Sequence, residues 1–260
     1  TVTGKGNYTG TASASWSITT KTVENPTIEL SGTSFPYDNG NEINPTVIVK
    51  DGETTISTDE YTVSYTDNIN VGKATVTVTD KDGGNYTVNG STSFTITKAS
   101  FAAPAVTMRG YTYGDTPSTP SISTYPGGGA VTYYYSTTNS SSGGVEWKDM
   151  TATSLNVGTY YLYAVIAESD NYVSVTTEAV AFTVSSAAAP VTAWPTVSGT
   201  VYVNDAELTN ERLTDGTAGV DGIFAITDTT KTWTESGEKQ LMVTFTPESS
   251  NYSAVEGEIT

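Results

Sequence analysis

A single recurring dipeptide constrains this chain more than any other feature. Asn-Tyr occurs at Asn7-Tyr8, Asn85-Tyr86, Asn171-Tyr172 and Asn251-Tyr252, at steps of 78, 86 and 80 residues. Pro26, Pro104 and Pro190 each lie 19 positions after one of the first three Asn residues. Gly72 and Gly158 precede the next Asn-Tyr by 13 residues, and Gly237 does so by 14. Three markers in phase define an internal repeat, so the chain is an array of similar units rather than one large core. The units run over 21–99, 100–186 and 187–260, and residues 1–20 read as the closing strand of a preceding, truncated repeat. The segments leading to the three prolines are short and rich in Ser, Ala and Thr. Proline fixes its own φ and holds its predecessor extended, which leaves little hinge freedom between units.

Alternation with period two dominates each unit and predicts strands. In the first unit it predicts strands over 46–50, 61–65, 74–79 and 92–97, with Asp51-Gly52 as a hairpin turn. In the second unit the clearest strands are 133–135, 160–167 and 180–184; in the third, 201–203, 223–226, 241–246 and 255–259. Six or seven short strands with turns between them predict a small Ig-like β-sandwich. The fold class is therefore all-β: tandem small sandwiches in an extended array. A β-grasp-like repeat is the alternative, and it would require a helix in every unit. The best helical candidate, residues 205–213, offers two turns at most. The Asn-Tyr dipeptides precede the closing strand, where a Tyr can pack at a corner and bond backbone with its hydroxyl, and where Asn suits the turn.

Composition excludes several functions. The chain has no Cys and no His, which removes disulfides, thiol catalysis, Cys/His zinc sites and imidazole-based triads. Acids outnumber bases 28 to 11, for a net charge of −17, so the surface repels nucleic acid and anionic lipid. No stretch approaches the length of an apolar membrane span, so direct insertion into a membrane is not expected.

Several segments carry a resemblance. Phe35-Pro36-Tyr37-Asp38-Asn39-Gly40, Asp59-Glu60-Tyr61-Thr62-Val63-Ser64-Tyr65, Asn68-Ile69-Asn70-Val71-Gly72 and Gly84-Asn85-Tyr86 resemble the Ig-like tandem repeats of large bacterial surface proteins. Val243-Thr244-Phe245-Thr246-Pro247 with Asn251-Tyr252 is similar to MBG-type repeats. The resemblance implies export to the cell surface or medium, a stalk or adhesive role, a monomeric array, and a host protein, matrix protein or glycan as partner. It implies no catalytic residue and no cofactor.

Candidate sites are few. Most acids lie in turns, so paired carboxylates across a cleft are not expected. Asp80 and Asp82, in Asp80-Lys81-Asp82-Gly83-Gly84-Asn85, are the best calcium candidates, although the full spaced-acid loop is absent. Trp147 and Trp233 stand in polar surroundings and are the candidate ligand-stacking rings. Exposed, coplanar rings would favour the alternative function, a carbohydrate-binding module of a glycan-degrading surface system. Trp16 alternates in phase with Ala14 and Ile18 and reads as core; Trp194 reads as packing between units. One face of Tyr133-Tyr134-Tyr135 reads as exposed aromatic surface. Lys50 and Lys73 are the strand lysines that an isopeptide bond would need.

Overall fold

The computed structural model describes residues 1–204 and 208–260. It falls into two compact units. One comprises Thr1–Phe101 with Pro126–Gly128 and Glu168–Val173; the other comprises Ala102–Tyr125, Gly129–Ala167 and Ser174–Thr260.

In the first unit, two sheets enclose the core. Thr27–Leu30, Val47–Asp51 and Thr54–Thr55 form one sheet, in that order. Ser34–Pro36, Gly90–Thr97, Gly72–Asp80 and Tyr61–Thr66 form the other. Alternation places Val47 and Val49 from one sheet against Ala74, Val76, Val78, Phe94 and Ile96 from the other, all buried. Gly52 opens the Asp51 hairpin at φ +59°, which a primed turn needs at its first central position.

The second unit repeats the central ladder. Tyr111–Thr112, Val180–Ser185, Gly158–Ile166, Val131–Ser136 and Val145–Glu146 lie in order, faced by the pair Val106–Thr107 and Ser121–Ile122. A third strand set follows as Gly222–Ile226, Leu241–Pro247 and Val255–Ile259. The registers correspond: Ile96 faces Gly72, Val184 faces Gly158 and Ile259 faces Leu241. These are tandem β-sandwich repeats. Among the described residues the one helical element is a 3-10 turn at Asn210–Arg212, so the β-grasp alternative falls. The candidate helix over 205–213 reduces to that turn, and its first three residues lie outside the described residues.

Three placements differ from expectation. Residues 201–203 form no strand. In residues 1–20, Val2–Thr3 pairs with Thr11–Ala12, the rest has no regular structure, and Trp16 and Ile18 are 81% and 84% exposed. A strand with one apolar face becomes core only against a second sheet, and among the described residues none covers this one. Trp194, expected between units, packs into the third repeat's own core. The reason lies in Gly257, two residues before Ile259, where the other closing strands carry Phe94 and Phe182. A Cβ at Gly257 would stand 2.1 Å from Trp194 Cε2, so the indole occupies the space of the absent phenylalanine.

Candidate functional site: the repeat joints and an open cleft

Each Asn-Tyr dipeptide lies beside the segment that enters its repeat. Lys21–Val23 pairs in parallel with Tyr86–Val88, Ala99 bridges in parallel to Tyr172, and Ala187–Ala188 pairs in parallel with Tyr252–Ser253. The N–H groups of Lys21, Ala99 and Ala187 donate to the carbonyls of Asn85, Asn171 and Asn251 at 2.8, 2.9 and 3.0 Å. The backbone at the three positions is thus the same.

The asparagine side chains then reach into the preceding repeat. Asn171 Oδ1 accepts from the Val71 N–H at 3.0 Å, and its Nδ2 donates to Asn70 Oδ1 at 3.0 Å. Asn251 does the same to the Val157 N–H at 2.8 Å and Asn156 Oδ1 at 3.0 Å. Each receiving loop reads Asn-Val-Gly, as Asn70-Val71-Gly72 and Asn156-Val157-Gly158. A carboxamide has one accepting and one donating end, and this loop offers a backbone donor beside a side-chain acceptor.

Tyrosine completes the joint. The Tyr172 ring stands edge-on to Tyr37 at 5.3 Å and to Phe101 at 5.6 Å, and its hydroxyl donates to Asn39 Oδ1. The Tyr252 ring stands edge-on to Tyr113 at 5.5 Å. Tyr37 and Tyr113 hold the same place, because their N–H groups donate to the carbonyls of Thr97 and Ser185 at the ends of closing strands. The expected corner role is therefore corrected for Tyr172 and Tyr252, whose rings cap the pole of the repeat before them. Bonds of the corner type belong to other tyrosines: Tyr65 donates to the Pro45 carbonyl and Tyr125 to the Gly129 carbonyl, both at 2.7 Å. Sequence reasoning missed the asparagine pairing. Its signal was present, an Asn two positions before both Gly72 and Gly158.

In the first repeat Asn85 turns instead to Glu60, the residue before the strand Tyr61–Thr66 of the same repeat. The Glu60 carboxylate accepts from the Asn85 N–H at 2.5 Å and from its Nδ2 at 2.9 Å. These bonds hold the Glu60 carboxyl below its ordinary value.

The other sequence candidates are placed as follows. Trp147 is half-buried, edge-on to Tyr135 at 5.9 Å and to Phe182 at 5.6 Å, so its ring is committed to the core. Tyr133 and Tyr135 pack on that core as well, while Tyr134 stacks on Tyr163 on the opposite face at 5.4 Å, which covers the expected aromatic surface. Asp80 accepts from Asn89 at 3.0 Å, and the Asp80 loop closes through the Gly84 N–H and the Lys81 carbonyl. Among the described residues no three His, Cys, Asp or Glu side chains gather where they could hold an ion, and Asp80 and Asp82 belong to no such group. Lys50 pairs with Glu29 at 2.8 Å and Lys73 is exposed, so neither is the buried lysine of an isopeptide site.

Of the two candidate stacking rings, Trp233 borders open space. It lines a cleft of about 350 Å3 in the third repeat with Val197, Val203, Leu208, Glu235 and Lys239. The Asn204 N–H donates to the Trp233 carbonyl at 2.9 Å and ties the two walls together. Lys231 Nζ stands 5.9 Å from the centre of the Trp233 ring, within reach of a cation–π contact. An aromatic floor with a charged rim can receive an apolar or stacking group.

No protein-family model and no curated protein matches the chain. Among solved structures it is similar to the protocadherin gamma B4 extracellular domain at 14% identity, covering 90% of this chain and 50% of that one, with a TM-score of 0.25. Drosophila N-cadherin EC1-4 matches at 9% identity over 91% and 75% of the two chains, with a TM-score of 0.26. Protocadherin gamma B2 extracellular cadherin domains 3-6 match at 12% over 90% and 76%, again with 0.26. The chain spans about half the length of the first of these. Likenesses of this degree say nothing about ligand or partner.

Proposed function

We propose that the chain is a non-catalytic, extracellular repeat region of a bacterial cell-surface protein, serving as a stalk or adhesion module for a host protein, matrix protein or glycan. The observation that carries this reading is the repeated joint. Two successive junctions use the same asparagine and tyrosine to couple one repeat to the next. A spacer needs such coupling, because it carries orientation and load along the chain. The acidic, cysteine-free composition and the resemblance to bacterial surface repeats support it. Small-angle scattering on the dilute chain tests the stalk directly. An elongated particle is expected at low and high salt, and a compact profile at both would refute it.

The carbohydrate-binding alternative is favoured by one observation, the open cleft beside Trp233. A glycan array decides, with Trp233→Ala as control. Capture that requires Trp233 would support the alternative.

A further inference from the structure

One sheet of the first repeat ends on an open edge, the strand Tyr61–Thr66. Among the described residues that strand pairs only with Gly72–Asp80, with Tyr61 opposite Asp80 and Thr66 opposite Thr75. The Lys81 N–H donates to the Glu60 carbonyl at 3.1 Å, so Thr62, Ser64 and Thr66 direct their backbone groups into this ladder. Tyr61, Val63 and Tyr65 direct theirs outward, and among the described residues no backbone partner meets them.

The other two repeats guard the same position. Tyr65 faces Val76 and Tyr135 faces Leu162, each four positions after the ladder glycine, so the two tyrosines correspond. In the second repeat the Trp147 N–H donates to the Tyr133 carbonyl at 2.8 Å and Val145 lies opposite Tyr135, which adds a strand to that edge. In the third, Asn210 Oδ1 accepts from the Ile226 N–H at 2.8 Å and blunts the strand Gly222–Ile226. A charge or a proline on the strand itself is the usual protection of an edge, and Tyr61–Thr66 carries neither.

The edge is also self-complementary. Tyr61-Thr62-Val63-Ser64-Tyr65 reads nearly the same in both directions about Val63. An antiparallel copy centred on Val63 sets Tyr61 opposite Tyr65, Thr62 opposite Ser64, and Val63 opposite itself. The outward residues then coincide as hydrogen-bonded pairs, each exchanging two bonds.

We infer that Tyr61–Thr66 is a lateral docking edge, and that its occupant is the same strand of a second copy of this chain. The contact uses backbone groups. The tyrosine rings stay in place, with the Tyr65 hydroxyl on the Pro45 carbonyl and that of Tyr61 on the Val47 carbonyl. The contact is isologous and closes at two chains. Two four-stranded sheets join into one that stays within the size of ordinary open sheets. Asp59 of one copy comes near Asp67 of the other at both ends, and each chain carries −17, so pairing is weak at low salt and strengthens as salt is raised. The inference goes beyond the stalk reading and departs from the monomeric array that the resemblance implies.

Sedimentation velocity on the full chain over a concentration series, at low and high salt, is the first test. A monomer–dimer equilibrium is expected, stronger at high salt, with nothing larger. Thr62→Lys with Ser64→Lys, both at exposed positions, sets lysine against lysine across the pair and should weaken dimerisation about tenfold. Circular dichroism melts confirm that this variant is folded. The register has its own test, because the chain has no cysteine. Thr62 of one copy and Ser64 of the other form a non-hydrogen-bonded pair with Cα atoms about 4.5 Å apart, within disulfide reach, whereas Thr62 with Thr62 and Ser64 with Ser64 stand about 7–8 Å apart. A mixture of Thr62→Cys and Ser64→Cys chains should therefore cross-link under mild oxidation at least about tenfold faster than either variant by itself. A parent chain that stays monomeric at every concentration and salt overturns the inference. So does assembly beyond two chains, a dimer indifferent to the paired lysines, or cross-linking as fast in the single variants as in the mixture. Dilute-chain scattering judges the stalk reading separately.

Discussion

Replacing Asn171 with Ala isolates the energetics of a joint. The substitution removes two hydrogen bonds, each at 3.0 Å, and leaves the Val71 N–H without its partner. Asn171 is only half-buried, so water recovers part of the loss. At about 1 kcal/mol net per bond, the joint should weaken by about 2 kcal/mol. Since 1.4 kcal/mol is a factor of ten, exchange of the Val71 amide hydrogen should accelerate about thirtyfold. The molecule contains its own control: the Val157 amide is held by Asn251 and should exchange at its parent rate. Asn171→Asp should cost less, because a carboxylate oxygen still accepts from Val71 and the Asn70 amide can rotate to donate to the other. A double-mutant cycle with Asn70→Ala should return a coupling of about 0.5–1 kcal/mol for the side-chain pair. Unchanged exchange at Val71 in Asn171→Ala, or equal acceleration at Val71 and Val157, would refute the joint as an energetic element.

Four further outcomes are expected. Tyr111→Phe should raise the stability of its repeat by up to about 1 kcal/mol in urea unfolding, because the buried hydroxyl has no hydrogen-bond partner among the described residues and Phe35 holds the matching place in the first repeat; a clear loss would show that this hydroxyl is bonded. Burial also pushes the Tyr111 phenol upward, so ultraviolet titration of wild type minus Tyr111→Phe should show one tyrosine ionising above the ordinary value of 10.0. Gly257→Ala should destabilise the third repeat by about 1–3 kcal/mol through its collision with Trp194, and Trp194→Ala combined with Gly257→Phe should recover part of that loss; additive losses would dismiss the exchange. Glu60 has a folded pKa depressed below 4.5, so its bonds to Asn85 contribute fully above that value and are lost as pH falls through the folded one; an Asn85 side-chain amide resonance that titrates at or above 4.5 would contradict this.

Much of the architecture was legible because alternation and spacing are local properties. The strands Val47–Asp51, Tyr61–Thr66, Gly158–Ile166, Val180–Ser185 and Val255–Ile259 all fall on segments where period two is visible in the residues themselves. The near absence of helix among the described residues agrees with the same pattern, since 205–213 was the best helical candidate and it holds only the 3-10 turn Asn210–Arg212. The all-β class and the absence of imidazole and thiol chemistry needed nothing beyond composition and period.

What the fold alone decided depends on partners far apart in the chain. Asn171 and Val71 are 100 positions apart, and no propensity of either residue states that one will hold the other. Trp147 sits in a polar stretch, yet Tyr135 and Phe182 close over it from two other strands. Trp194 looked like a linker residue until Gly257 left a space opposite it. Trp16 has the alternation of a core residue and is exposed, because alternation tells which face of a strand is apolar and not whether a second sheet lies against it. Period two is written along one strand and is read locally; a joint, a compensating pair or an open cleft is written across strands, and exists only once folding has brought them together.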